Sequence, residues 1–187
     1  MPPKVKITKE DIVNVAVELA RENGEGGINA RSIASVLGCS TQPVFSNFAN
    51  MEDLQRAVRL SAYERYLGFL ENEAKGGKFP KYKAFGMAYI RFAKEEKELF
   101  KLLFMCDRRG ESFVPTVDFD ISVDMIAQAN EIDRNVAELI HLEMWTSVHG
   151  IGTMLATSFL DLDEELISNM LTDVYMGIRS RHVEGKE

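Results

Sequence analysis

Hydrophobic residues recur at helical spacing through most of this chain. In the first such segment, the apolar residues that share one helix face at positions i, i+3, i+4, i+7 and i+8 are Ile12, Val15, Ala16, Leu19 and Ala20. Thr8, with Asp11 three residues later, has the spacing of a capping box, so the helix is predicted to begin near residue 9.

The same periodicity, read together with capping residues and glycine stops, predicts helices along the rest of the chain. They lie at about 9–21, 30–37, 41–48, 51–74, 81–94, 96–106, 118–131, 134–159 and 163–182, about nine in total. A loop is expected at 107–115, and weak strand-like alternation occurs only near 114–123. The pattern therefore predicts an all-α protein with a short three-helix unit before a larger helical body.

Residues 30–48 meet the requirements of a helix-turn-helix. Ala34 is small where the second helix must cross closely, and Gly38 can adopt the positive φ that the turn needs. Val44 follows as an apolar anchor on the second helix, while Ile33 and Leu37 complete the core face. A helical hairpin with a merely polar exterior remains the alternative interpretation of this window.

The residues left facing outward have side chains that bind base edges or phosphates. They are Arg31, Ser40, Thr41, Gln42, Ser46 and Asn47. Lys4, Lys6 and Lys9 could add electrostatic contacts with the DNA backbone. We therefore predict a DNA-binding domain over residues 1–50, with the helix from about 51 linking it to a second domain over 51–187.

The net charge of −7 is unusual for a nucleic-acid-binding protein, but it is unevenly distributed. Residues 1–65 hold 8 Lys and Arg against 8 Asp and Glu, whereas residues 66–187 hold 14 against 21 and so carry the whole excess. A neutral N-terminal part can approach phosphate, while the acidic remainder is repelled by it.

The sequence contains no signature of an enzyme, a cofactor site or a membrane span. His141 and His149 lie eight residues apart, which on one helix is roughly 12 Å, too far for one metal ion. Cys39 and Cys106 form no motif, and no secretory leader is apparent. We expect a cytoplasmic protein without cofactors or metals that is not an enzyme.

The N-terminal motifs resemble those of the TetR family of tetracycline-repressor-like regulators. The resemblance rests on Ile33-Ala34 followed by Gly38, on Val-Phe-Ser-Asn-Phe at 44–48, and on Asn-Met-Glu-Asp-Leu at 50–54. Phe45 and Asn47 replace the Tyr and His that are frequent in the family's recognition helix, and Gln42-Pro43 replaces a small residue.

The resemblance implies a homodimer and a small-molecule effector, for which the second domain supplies candidate residues. Residues expected to line an effector pocket are Tyr63, Phe85, Tyr89, Phe92, Phe104, Met125 and Met144. Residues expected at the dimer interface are Trp145, His149, Gly152, Leu155, Phe159, Met170 and Val174. Each of these residues could instead belong to the core of one protomer.

The predicted function is that of a DNA-binding transcriptional regulator, by family habit a repressor. Its homodimer would present two recognition helices about one DNA turn apart, roughly 34 Å, to a near-palindromic operator. A small hydrophobic effector would release it by preferring another state of the protein. The alternative is a helical ligand-carrier or interaction protein that does not bind DNA.

Overall fold

The structure, a computed structural model, describes residues 7–107 and 117–184. Over these residues every regular element is helical, and nine α-helices are present, which confirms the predicted all-α class. They are α1 (Lys9–Asn23), α2 (Ala30–Val36), α3 (Gln42–Asn47), α4 (Met51–Gly76), α5 (Lys81–Glu95), α6 (Lys97–Phe104), α7 (Val117–Asn130), α8 (Arg134–Ala156) and α9 (Glu164–Arg179). A 3-10 turn, Glu25–Gly27, follows α1, and a π-helical turn, Ser180–Glu184, follows α9.

Two sequence predictions concern residues that are not described. Lys4 and Lys6 lie outside the described residues, as does the predicted loop beyond Asp107 up to residue 115. The strand-like alternation near 114–123 gives no strand in its described part, because α7 begins at Val117. Helix hydrogen bonding there outweighs a weak local pattern.

The chain divides into two compact units. The first comprises the described residues up to Tyr66 together with Glu96–Cys106, and the second comprises Leu67–Glu95 and the described residues from Asp107 onward. Helix α6 therefore packs with the N-terminal helices, chiefly α1, although Leu67–Glu95 of the second unit lies between them in the sequence. The functional boundary predicted at residues 50 and 51 stays a prediction.

The capping box predicted for α1 is present. The Thr8 hydroxyl accepts a hydrogen bond from the Asp11 amide over 3.1 Å, and the Asp11 carboxylate accepts one from the Thr8 amide over 2.8 Å. The apolar face of α1 is buried in the first unit, with Ile12 and Ala16 fully enclosed. The sequence therefore specifies both the start of α1 and its buried face.

The second unit is built around α8, which packs against α5, α7 and α9. One core cluster joins Val123 and Ile126 of α7 to Ala137 and Ile140 of α8. Gly86 permits close packing on α5, because a Cβ there would lie 3.3 Å from Leu171 Cδ1 and 3.5 Å from Val148 Cγ2. Helices α5, α7, α8 and α9 thus form one bundle.

Helix α8 ends earlier than predicted. The periodicity extends to residue 159, but the helix stops at Ala156 and Ser158 adopts φ +57°. The amides of Ser158 and Phe159 then donate to the carbonyls of Leu155 and Met154 over 3.0 and 2.9 Å. This is a Schellman motif, normally formed with glycine, so the sequence shows no stop signal at this position.

Among the described residues, no helix is both long enough and apolar enough to cross a membrane.

Candidate nucleic-acid interface and ligand cavity

The turn between α2 and α3 has the geometry that the sequence predicts. Gly38 adopts φ +64°, and the amides of Gly38 and Cys39 donate to the carbonyls of Ser35 and Ala34 over 3.3 and 3.0 Å. These two bonds form a Schellman motif that ends α2 and redirects the chain into α3. Ala34 and Val44, the predicted crossing and anchor residues, are both buried.

Helix α3 is held by its apolar residues, and its polar residues face outward. Val44 and Phe48 are 1% and 4% exposed, so they fix the orientation of the helix. Arg31, Ser40, Gln42 and Ser46 are exposed, while Thr41 and Asn47 are half-buried. Of the six residues predicted to contact DNA, Arg31 lies near the start of α2, and the other five lie on α3 or within two residues before it.

Two of the polar side chains on α3 are occupied by the helix itself. The Ser46 hydroxyl donates to the Gln42 carbonyl over 2.9 Å, and Asn47 Nδ2 donates to the Pro43 carbonyl over 2.8 Å. Within the described part of the chain, no hydrogen bond engages the Gln42 side chain. Gln42 is therefore the α3 amide most available to a base edge.

This surface also has an apolar element that was not among the predicted contact residues. Phe45 on α3 is 55% exposed, and Val36 at the end of α2 is 61% exposed. The ammonium group of Lys9 lies 5.0 Å from the centre of the Phe48 ring, which brings a cation to the C-terminal end of α3. The signal for Phe45 was present in the sequence, because it follows the inward-facing Val44 by one residue and so must point elsewhere.

The second unit contains a cavity of about 680 Å³. Its walls come from α5, α7, α8 and α9 and from the residue preceding α5, and they comprise Pro80, Lys81, Tyr82, Lys83, Gly86, Met125, Gln128, Ala129, Met144, Val148, Leu171, Thr172 and Tyr175. The volume falls within the range of small-molecule sites. Met125 and Met144 are the two predicted pocket residues among these walls.

The other five residues predicted for the pocket lie elsewhere. Tyr63 and Phe104 belong to the first unit, where both approach Tyr66. Phe85, Tyr89 and Phe92 are on α5 in the second unit, and Phe92 is fully buried against Phe69 with ring centres 5.2 Å apart. Hydrophobicity alone could not distinguish these positions from the cavity wall, because all of them lie on apolar helix faces.

Two histidines of α8 are each paired with a tyrosine of α5. Tyr82 Oη lies 3.0 Å from His141 Nδ1, and Tyr89 Oη lies 2.8 Å from His149 Nδ1. Burial lowers the pKa of His141 to about 4 and raises the pKa of Tyr82, so both groups are neutral near pH 7. Within the described residues, no group of three or more His, Cys, Asp or Glu side chains could hold a metal ion.

The residues predicted for the dimer interface divide into two groups. Gly152 and Leu155 are buried inside the second unit and belong to its core. Trp145, Phe159 and Met170 are exposed, and His149 and Val174 are half-buried. The exposed apolar residues of α8 and α9 outside this predicted set are Leu139, Leu142, Met154, Leu166 and Met176.

Solved structures of other proteins match this fold, among them three that cover most of the chain. A protein of unknown function from Rhodococcus sp. RHA1 matches with a TM-score of 0.73 at 21% identity, covering 98% of this chain and 99% of that one. A TetR-like transcriptional regulator from the same organism matches with a TM-score of 0.64 at 16% identity over 100% of both chains. A putative TetR-family regulator from Vibrio parahaemolyticus matches with a TM-score of 0.63 at 15% identity, covering 89% of this chain and 95% of that one.

The chain has the TetR-like fold. At these identities the match extends the resemblance from the motifs at residues 30–54 to nearly the whole length of the chain, as a statement about architecture. Comparison of the sequence with protein-family models and with curated proteins gives no match. In this fold, the α2–α3 surface lies in the first unit and the 680 Å³ cavity in the second.

Proposed function

We propose that this protein is a DNA-binding transcriptional regulator that reads its operator with α3. The observation that carries the proposal is the α2–α3 hairpin, in which buried Val44 and Phe48 orient a helix whose outer face bears Gln42 and Ser46. Such a helix fits the major groove, where an amide side chain can pair with adenine. The TetR-like fold supports this use of the hairpin, since two of the matched structures are described as regulators.

The charge distribution supports the same assignment. The first 65 residues are neutral overall, with 8 cationic and 8 anionic side chains, and Arg31 is exposed near the start of α2. Arg31 is proposed to contact a phosphate, which adds affinity for every DNA sequence. Gln42 is proposed to contact a base, which adds affinity only for the correct sequence.

The regulator is proposed to act as a homodimer on a near-palindromic operator, as a repressor that a small molecule releases. The exposed apolar residues of α8 and α9 support self-association through those helices. The cavity in the second unit supports a small-molecule effector, which would act by binding one state of the protein more tightly than the other.

The test of DNA binding is a fluorescence-anisotropy titration with duplexes chosen by random-sequence selection, at low and moderate salt, against a scrambled duplex. Specific binding is expected to survive moderate salt. Gln42→Ala is expected to reduce the preference for the selected duplex by roughly tenfold, corresponding to the 1–3 kcal/mol of one good base contact. Arg31→Ala is expected to lower the affinity for both duplexes by the same factor and to make that affinity less dependent on salt.

A matched control is Lys75→Ala, which removes an exposed cation paired with Glu71 on α4. This variant should leave the affinity for both duplexes unchanged. If neither duplex binds at low salt, or if Gln42→Ala leaves the preference intact, the assignment of α3 as the reading helix is wrong. Failure to select any duplex would favour a ligand carrier that does not bind DNA.

The proposed dimer has its own test in sedimentation velocity. Leu142→Glu and Met170→Glu place charges on the exposed faces of α8 and α9 and are expected to give monomers, whereas Leu60→Glu on α4 is not. A monomeric wild-type protein at micromolar concentration would exclude the homodimer and leave the other proposals standing.

A further inference from the structure

The cavity in the second unit differs in charge from the part of the chain that contains it. Residues 66–187 hold 14 Lys and Arg against 21 Asp and Glu. The cavity wall holds two lysines, Lys81 and Lys83, and no Asp or Glu. The only charged residues of the wall are therefore cationic. In an otherwise acidic part of the chain, such a concave site gives an anion a locally favourable electrostatic energy.

The Lys83 ammonium group lies at the cavity wall without a carboxylate partner. Its Nζ donates to the hydroxyl of Thr172, another wall residue, over 2.7 Å. It also lies 5.3 Å from the centre of the Phe79 ring. Over the described residues, no ion pair engages Lys83 or Lys81, whereas the nearby Lys78 is paired with Glu164 at 2.6 Å. A half-buried ammonium that lacks a counter-ion retains donors for a ligand anion.

The wall combines exposed polar residues with buried apolar ones. Lys81, Gln128 and Thr172 are exposed, while Met144, Val148 and Leu171 are buried. Methionine walls adapt to the shape of an apolar group.

We infer that this cavity binds an amphipathic organic anion, with its charged head at Lys83, Lys81 and Thr172 and its apolar body on Met144, Val148 and Leu171. The inference deepens the proposed function, since such a ligand would be the effector of the regulator. It also replaces the expectation of a purely hydrophobic effector with one that carries a negative charge. Because all the wall residues belong to the second unit, ligand binding to the cavity can be measured without DNA.

The test is isothermal titration calorimetry of the full chain, without DNA, with decanoate, decanol and decylamine. These probes share one apolar body and differ in the charge of the head. Decanoate is expected to bind at least tenfold more tightly than decanol, and decylamine least well. Equal binding of decanoate and decanol, or tighter binding of decylamine, would overturn the inference.

Two variants locate the head group. Lys83→Met keeps an unbranched side chain that is one atom shorter and removes its charge. It is expected to lower the affinity for decanoate about tenfold and to leave the affinity for decanol unchanged. The matched control is Lys75→Met, which removes an exposed lysine on α4 outside the cavity wall. It should leave the affinity for both probes unchanged. Thermal melts of both variants check that they are folded, and folded Lys83→Met with unweakened decanoate binding would overturn the inference.

The DNA titration is run separately on the same preparations. Selective decanoate binding by a protein that binds no duplex would keep the ligand class and refute the regulator. Specific DNA binding without selectivity for decanoate would keep the regulator and refute the ligand class.

Discussion

Arg65 and Glu96 form an ion pair that joins α4 to the residue preceding α6. Arg65 Nη2 donates to Glu96 Oε1 over 2.9 Å, and Arg21 Nε of α1 donates to the other carboxylate oxygen over 2.5 Å. The Glu96 side chain is 6% exposed, whereas both arginines are 36% exposed. One buried carboxylate therefore ties together three helices of the first unit that are far apart in sequence.

Glu96→Gln is expected to destabilise the protein by about 2 kcal/mol, because it leaves two arginines beside a neutral amide. The expected cost is below that of a fully buried pair, since water screens the arginines. The measurement is urea denaturation at pH 7. Glu71→Gln, which breaks the exposed pair with Lys75, is the control and should cost under about 0.5 kcal/mol. Equal losses in the two variants would contradict a structural role for the Glu96 pairs.

Gly27→Ala is expected to destabilise the first unit by about 2 kcal/mol. A Cβ at Gly27 would lie 2.5 Å from the Leu19 carbonyl oxygen, so the backbone after α1 would have to move. The neighbouring Gly26→Ala is a matched control, because a Cβ there meets no atom within 4 Å. Denaturant melts of both variants measure the difference. A loss of stability in Gly26→Ala that equals the loss in Gly27→Ala would show that the close approach to α1 is not the cause.

Phe45→Ala is expected to lower the affinity for a selected duplex severalfold without loss of stability. Phe45 is 55% exposed on α3, so its removal empties no core site, but its ring can contact a thymine methyl group in the major groove. The control is Leu60→Ala on α4, which removes a side chain that is 60% exposed and outside the hairpin. Anisotropy titrations compare the two variants, and unchanged affinity in Phe45→Ala would remove this residue from the proposed interface.

The stability of the protein is expected to fall between pH 7 and pH 5 in a way that depends on His141. Burial lowers the pKa of His141 from its ordinary 6.5 to about 4 in the folded protein. Below pH 6.5 the unfolded chain takes up a proton that the folded protein excludes, so the stabilisation present above pH 6.5 is lost as the pH falls toward 4. The contribution of this one group at pH 5 is about 2 kcal/mol.

Urea melts of wild type and His141→Asn at pH 7 and pH 5 test this expectation. Asparagine retains a polar group near Tyr82 but does not titrate in this range. The wild-type protein should lose about 2 kcal/mol more than the variant over this interval. If the two proteins have parallel pH profiles, His141 does not titrate as its burial requires.

The elements that sequence alone determined are those fixed by contacts between near neighbours. Thr8 with Asp11, and Asn29 with the Ser32 amide, cap α1 and α2 as their spacing predicts. Gly38 forms the turn after α2, and Asn50 accepts from the Asp53 amide at the start of α4. Caps and turns depend on atoms within about five residues of one another, so their geometry is encoded locally.

Sequence also distinguished the buried side of α3 from its outer side, because helical periodicity places Val44 and Phe48 on one face. It did not distinguish an occupied outward amide from a free one, since the hydrogen bond from Asn47 to Pro43 depends on the side-chain rotamer. The sequence also did not predict that α8 ends before Ser158, because the positive φ of Ser158 occurs without a glycine.

Only the tertiary structure decided which apolar residues face the cavity, which face a core and which face solvent. Met144 and Phe92 both lie on the buried faces of their helices. Met144 nevertheless lines the cavity, whereas Phe92 packs against Phe69. The pairing of Arg21 with Glu96 spans 75 residues, and the meeting of Lys83 with Thr172 spans 89. Periodicity identifies the face of a helix that is buried, but the neighbour that buries it is chosen by the packing of all the helices together.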